Sequence, residues 1–225
     1  MVARTLFHRH PSAFLLAAQL LSLVLYPTMD GSESGRVLFG LVGVVVVSLA
    51  LWVVKRSPAE NWIAWILAVP AVGVSVFSIA MDRPELLELS AAFQSCLYFY
   101  SAGSLIAYML HDHEVTKDEL FAAGATFTLI AWGFAYAFFV CQAWYPGSFT
   151  ALNAPDAPRT WMELLFLSFT NLSGVGIGDI LPISAPARVL VMLEQFAGVG
   201  YIAAIVSRLI GLTIVRTREE KRKRK

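Results

Sequence analysis

Apolar stretches of bilayer length divide this chain, and no other feature constrains its fold as tightly. Six of them, roughly 7–26, 37–54, 62–81, 87–110, 120–144 and 187–215, hold few charged residues. A helix needs about 20 apolar residues to cross the hydrocarbon core. At that depth only helices and closed barrels satisfy their own backbone. The pattern predicts an all-α, polytopic membrane protein with six transmembrane helices. Charged residues make up 15% of the chain, where a soluble domain carries roughly a quarter. They sit in short clusters between the apolar runs. The apolar run after Arg4 and Arg9 has the outline of a signal peptide. It is long and has no clear small-residue cleavage site behind it, so a retained span is expected.

The linkers set an orientation. With six crossings, Arg4, Arg9, Lys55, Arg56 and the basic tail 216–225 share one side. The other side receives Asp30, Glu33, Arg36, Asp82, Arg83, Glu85, Glu88 and the loop 142–159 with its single Arg. Lys and Arg accumulate on the cytoplasmic side, so both termini are expected in the cytoplasm, in a plasma (inner) membrane. The tail is too short to fold as a domain; near a membrane its charges attract anionic headgroups. The expected organisation is a four-helix membrane region over 1–116 whose role no motif assigns, a pore domain over 117–215 and the tail 216–225. Cys96 and Cys141 lie in apolar segments and read as small apolar side chains.

Between the last two spans, residues 160–170 are apolar but too short to cross. After them comes Asn171-Leu-Ser173-Gly174-Val175-Gly176-Ile177-Gly178-Asp179, and Pro182 follows. The reading is a re-entrant pore helix and a glycine-spaced filter loop. Non-helical backbone at membrane depth is tolerated where protein buries it or water lines it. Gly174, Gly176 and Gly178 give access to dihedrals closed to other residues. Carbonyl rings from Gly174, Val175, Gly176, Ile177 and Gly178, repeated in several copies, can replace the hydration shell of a monovalent cation. Glycine alternation alone is a weak signal. Its context, a short helix before and a span after, is what gives it weight.

Residues 168–179 resemble the potassium-channel signature, a pore helix ending Ser-Phe-x-Thr-Leu-Thr that leads into Thr-Val-Gly-Tyr-Gly-Asp. Val175, Gly176, Gly178 and Asp179 match it directly. Arg188, Glu194, Gly198, Tyr201 and Arg208-Leu-Ile-Gly211 are similar to the inner helix of small prokaryotic channels of the two-transmembrane ion-channel domain family. The resemblance spans roughly 120–212. It implies a homotetramer among membrane lipids, with K+ held on the carbonyls of Gly174, Val175, Gly176 and Ile177. Thr170, Asn171, Ser173 and Asp179 are the implied filter supports, and Gly198 is the candidate gating hinge. For Gly198, close helix packing is the equal alternative.

Three departures narrow this. Gly174 stands where the family has a Thr whose hydroxyl helps bind the innermost ion. Ile177 stands where it has Tyr or Phe, facing the apolar pore-helix positions Phe166 and Leu167. Asn171 replaces a Thr, and its amide can restore hydrogen bonding behind the filter. The expected function is a potassium-channel-like cation channel whose ion preference needs measurement, since a looser filter passes sodium too. The alternatives are a non-conducting or modulatory subunit and, below it, a secondary transporter. A transporter of the repeat type would carry a second broken helix in its other half.

The stretch 87–110 holds no Arg or Lys, whereas a voltage sensor carries several; strong voltage sensing is not expected. Enzyme chemistry, an organic cofactor, a nucleic-acid partner and a small-molecule substrate all lack a motif. Glu194 lies within a span, where an ionisable group is by default a functional candidate. Pairing with a neighbouring helix is the competing reading. Glu163 reads as favourable charge at the pore-helix N-terminus.

Overall fold

The structure, a computed structural model, describes residues 11–29, 43, 45–52, 54, 60–81, 83, 85–111, 117–152 and 154–223. The elements run α1 (Pro11–Met29), α2 (Asn61–Ala80), α3 (Glu85–His111), α4 (Lys117–Trp144), β1 (Phe149–Ala151), α5 (Trp161–Leu172), β2 (Ile180–Pro182) and α6 (Ala185–Lys223). Between α1 and α2, residues 45–52 are also helical. Arg4, Arg9, Lys55 and Arg56, which carry much of the charge asymmetry, lie outside the described residues.

Six predicted apolar stretches do not all become helices of equal quality. Among the described residues, two helices are both long and apolar enough to cross a membrane, 118–144 within α4 and 185–208 within α6. Apolar helix also covers Pro11–Tyr26 and Trp62–Ser78, over shorter lengths. α3 has the length, with 27 residues, but its apolar run is diluted by Glu85, Glu88, Gln94 and a series of serines.

The serines of α3 are used for packing. Ser90 Oγ donates to the Ala71 carbonyl of α2 (2.7 Å), and Ser95 Oγ to the Gly133 carbonyl of α4 (2.8 Å). Small residues let helices approach closely, and a hydroxyl that reaches a neighbour's carbonyl needs no water. Here Gly133 takes the ring of Phe99, whose Cε1 would lie 2.9 Å from a Cβ at that position. Ser90–Ala71 with Tyr100–Glu60, and Ser95–Gly133 with Tyr108–Asp118, run α2 and α4 antiparallel to α3.

α1 runs parallel to α4. Asp118, in the first turn of α4, accepts from the Ser12 backbone N–H (3.1 Å) and from its hydroxyl (3.0 Å). It thereby satisfies a donor left open in the first turn of α1. Farther along, Leu16 packs on Gly124 and Tyr26 on Trp161, the first residue of α5.

The sequence pattern implied helices alone, and the structure adds a small antiparallel ribbon. β1 pairs with β2 in the register Phe149↔Pro182, Thr150↔Leu181, Ala151↔Ile180. The 142–159 loop has unpaired backbone groups, and the segment after the glycines supplies their partners. α6 also continues through Lys223, so most of the expected tail is helical backbone.

Asp118→Ala removes two charge-assisted bonds at the α1–α4 contact. It is expected to lower stability by about 2 kcal/mol, read as a reduced thermal midpoint in detergent. An unchanged midpoint would show that α1 does not dock through Ser12.

Candidate functional site

The site is built from the start of α5. Thr160 caps it: its Oγ1 accepts from the Glu163 N–H (3.3 Å), while the Thr160 N–H donates to Glu163 Oε2 (2.6 Å). This is a reciprocal capping box, signalled by Thr and Glu three residues apart. Arg159 pairs with Glu163 (3.3 Å). Its own peptide is clasped by Gln142, with Arg159 N–H to Gln142 Oε1 at 2.7 Å and Gln142 Nε2 to the Arg159 carbonyl at 3.0 Å. Glu163 therefore does more than complement a dipole: it organises the entry to the pore helix.

α4 fixes the orientation of α5. Trp161 packs edge-on against Trp132 at 5.5 Å between centroids, and Phe169 packs against Phe127 at 6.0 Å. Ser168 Oγ lies 2.8 Å from the Ala131 carbonyl. Leu164, Leu165, Leu167 and Leu172 are fully or almost fully buried. Leu167 is buried, whereas Phe166, Val175 and Ile177 are exposed.

The end of α5 shapes the glycine segment. Ser173 is the C-cap, and Gly174 follows in the left-handed region at φ +74°. The Gly174 N–H returns to the Asn171 carbonyl (3.0 Å), the usual bond of a left-handed helix stop. Gly176 is also left-handed, φ +64°, and its N–H reaches the Thr170 carbonyl (2.9 Å). Gly178 has no left-handed φ, so the expectation of special dihedrals holds at two of the three glycines. The Gly174 departure now has a physical cause. A β-branched Thr at a left-handed position is a strained outlier, so the residue that ends the helix this way is a glycine.

Of the predicted supports, Thr170 and Asn171 hold the amides of Gly176 and Gly174 through their carbonyls. The Thr170 hydroxyl turns back to the Leu167 carbonyl (2.9 Å), and Ser173 Oγ reaches the Thr170 carbonyl (3.2 Å). Asp179 is exposed. β2 follows at once, and Ser184 begins α6 by accepting from the Ala187 N–H (3.3 Å).

α6 meets this assembly along one stripe. Glu194 Oε1 is hydrogen-bonded to Ser168 Oγ, and Gln195 Nε2 donates to Asn171 Oδ1 (3.4 Å). A Cβ on Gly198 would sit 2.1 Å from the Leu172 carbonyl oxygen. Lower down, Tyr201 OH donates to the Ala123 carbonyl (2.6 Å), and Arg208 pairs with Glu119 at 3.6 Å. Gly198 is thus a close-packing glycine. Sequence reasoning left Glu194 undecided and did not identify Ser168 as its partner, because no local pattern links two residues 26 positions apart.

A family model described as an ion channel matches residues 95–214, more than half of the chain. The chain belongs to this ion channel family. The match covers α4, α5, the glycine segment and most of α6, as the sequence resemblance did. It also reaches back into α3, beyond the boundary expected at 117. No curated protein and no solved structure matches the chain. As a member of a channel family with helices fit to span, it is a membrane protein and not an enzyme.

Gly198→Ala forces a methyl group into a backbone carbonyl, whereas Gly200 has open space at its Cβ position. The first substitution is expected to cost about 1–3 kcal/mol in thermal stability, the second far less. Equal midpoints for the two variants would place α6 elsewhere.

Proposed function

We infer that the chain forms a homotetrameric, potassium-channel-like cation channel, with residues 174–178 as its filter and K+ as its cargo. One observation carries the reading. A capped half-length helix ends in a left-handed glycine and hands its last carbonyls to the amides of Gly174 and Gly176. That arrangement supports non-helical backbone at membrane depth without water. The ion gives up its hydration shell and passes in single file along carbonyls of Gly174, Val175, Gly176 and Ile177.

What one chain leaves bare supports the tetramer. On α6, Val189, Met192, Leu193, Phe196, Val199 and Val206 are exposed, Phe196 to 81%. Their three- and four-residue spacing makes one apolar face, and Val175 and Ile177 stand exposed beside the filter. Copies of the same chain around a fourfold axis would cover these groups in part and line the pore with the rest. Opening is assigned to α6. With Gly198 seated on Leu172, a hinge there requires the inner helix to part from the pore helix.

The six-crossing topology, with both termini cytoplasmic in a plasma membrane, is supported by helix direction. The starts of α1 and α4 meet at Ser12 and Asp118, and the far part of α6 meets the start of α4 at Arg208 and Glu119. The stretch 87–110 lacks Arg and Lys, so gating is assigned without a strong intrinsic voltage sensor.

Purified protein in planar bilayers is expected to give single-channel currents that reverse toward the potassium equilibrium in mixed K+/Na+ gradients. Gly176→Ala puts a side chain at a left-handed position, about 1–2 kcal/mol of strain, and should cut ion discrimination roughly tenfold. Unchanged discrimination in that variant would remove 174–178 as the filter. A folded but silent tetramer would favour the modulatory subunit, and saturable flux without unitary currents the transporter. Phe196→Asp should shift the native mass from tetramer to smaller species; an undiminished tetramer would put the interface on another face.

A further inference from the structure

Glu194 is fully buried, with no exposed surface. Its Oε1 meets Ser168 Oγ, and the same Ser168 Oγ lies 2.8 Å from the Ala131 carbonyl. Hydrogen counting makes this arrangement informative. A serine hydroxyl has one hydrogen, a backbone carbonyl only accepts, and an ionised carboxylate only accepts. With Glu194 ionised, two acceptors would compete for one hydrogen, and one contact would set lone pairs against each other. With the carboxyl protonated, Glu194 donates to Ser168, Ser168 donates to Ala131, and each contact has its hydrogen.

The surroundings agree. Among the described residues the ion pairs are Arg159–Glu163 and Arg208–Glu119, and neither involves Glu194. Other titratable groups on the packed helices are engaged or lie elsewhere. Asp118 binds Ser12 at the start of α4, Cys141 faces Ser148 near its end, and Tyr136 stacks on Tyr98. On α6, Arg188 reaches the Pro182 carbonyl and Tyr201 the Ala123 carbonyl. A buried carboxylate with no cation beside it is neutralised in practice. Beside the carboxyl stands the Asn171 amide; its Nδ2 and Glu194 Oε2 are both buried without a hydrogen-bond partner in the structure.

We propose that Glu194 is a positioning residue for the filter, holding a proton that it donates to Ser168 and so joining inner helix, pore helix and outer helix in one relay. Ser168 lies on the turn before Thr170 and Asn171, whose carbonyls hold the amides of Gly176 and Gly174. Movement of α6 at Glu194 is therefore passed to the filter through the Ser168 bond, alongside the Gln195–Asn171 contact. This rests on reading 174–178 as the filter, but the proton itself can be detected without ion flow.

Infrared spectra of the reconstituted full chain at neutral pH should contain a protonated-carboxyl stretch that disappears in Glu194→Gln. Spectra in which the substitution removes a carboxylate band instead would overturn the proposal, whether or not the protein conducts. In bilayers, Glu194→Gln can still donate to Ser168 and should keep the wild-type permeability ratio. Glu194→Ala and Ser168→Ala leave a buried group unpaired and should shift the ratio about tenfold. A Gln variant as impaired as the Ala variant would also overturn it. Wild type without currents would remove the filter reading and leave the infrared result to decide the proton.

Discussion

Unsatisfied backbone at the end of α5 is the constraint from which the rest of this structure follows. A helix that stops inside the bilayer exposes its last carbonyls, and a loop that follows it exposes amides. Here each set answers the other. The Asn171 and Thr170 carbonyls take the amides of Gly174 and Gly176, and only left-handed backbone brings the chain round far enough to do so. Both left-handed positions are glycines. The glycine spacing is thus tied to the helix end, and the departure at Gly174 belongs to the same solution.

The surrounding helices keep that turn in place. α4 supplies aromatic contacts and the Ala131 carbonyl, and α6 supplies Glu194, Gln195 and the smooth surface of Gly198. The β1–β2 ribbon ties the loop after α4 to the segment that follows the glycines. α3 extends the support outward, with Ser95 and Phe99 seated at Gly133. That packing gives a physical sense to a family match that begins within α3 rather than at α4.

Much of this was legible in sequence because membrane depth leaves few choices. Runs of apolar residues located α1, α2, α3, α4 and α6 closely, and the short apolar run 160–170 located α5. The ribbon was not legible. Phe149–Ala151 and Ile180–Pro182 are three residues each, too short for a strand pattern, and they exist only because the fold brings them side by side. Gly178 looked like its two neighbours, yet its backbone is ordinary because no helix-end carbonyl claims its amide.

The sequence by itself determined that the chain is helical, that a short helix precedes a glycine-spaced segment, and that an apolar helix follows it. Periodicity, length and glycine placement are local properties, and they can be read along one dimension. Only the tertiary structure decided what Glu194 and Gly198 do. Each depends on the pore helix more than twenty residues earlier: Glu194 on a hydroxyl at Ser168, and Gly198 on a carbonyl at Leu172. A lone acid or glycine on an apolar helix has no local pattern to interpret, because its role is set by the atom that packing places opposite it.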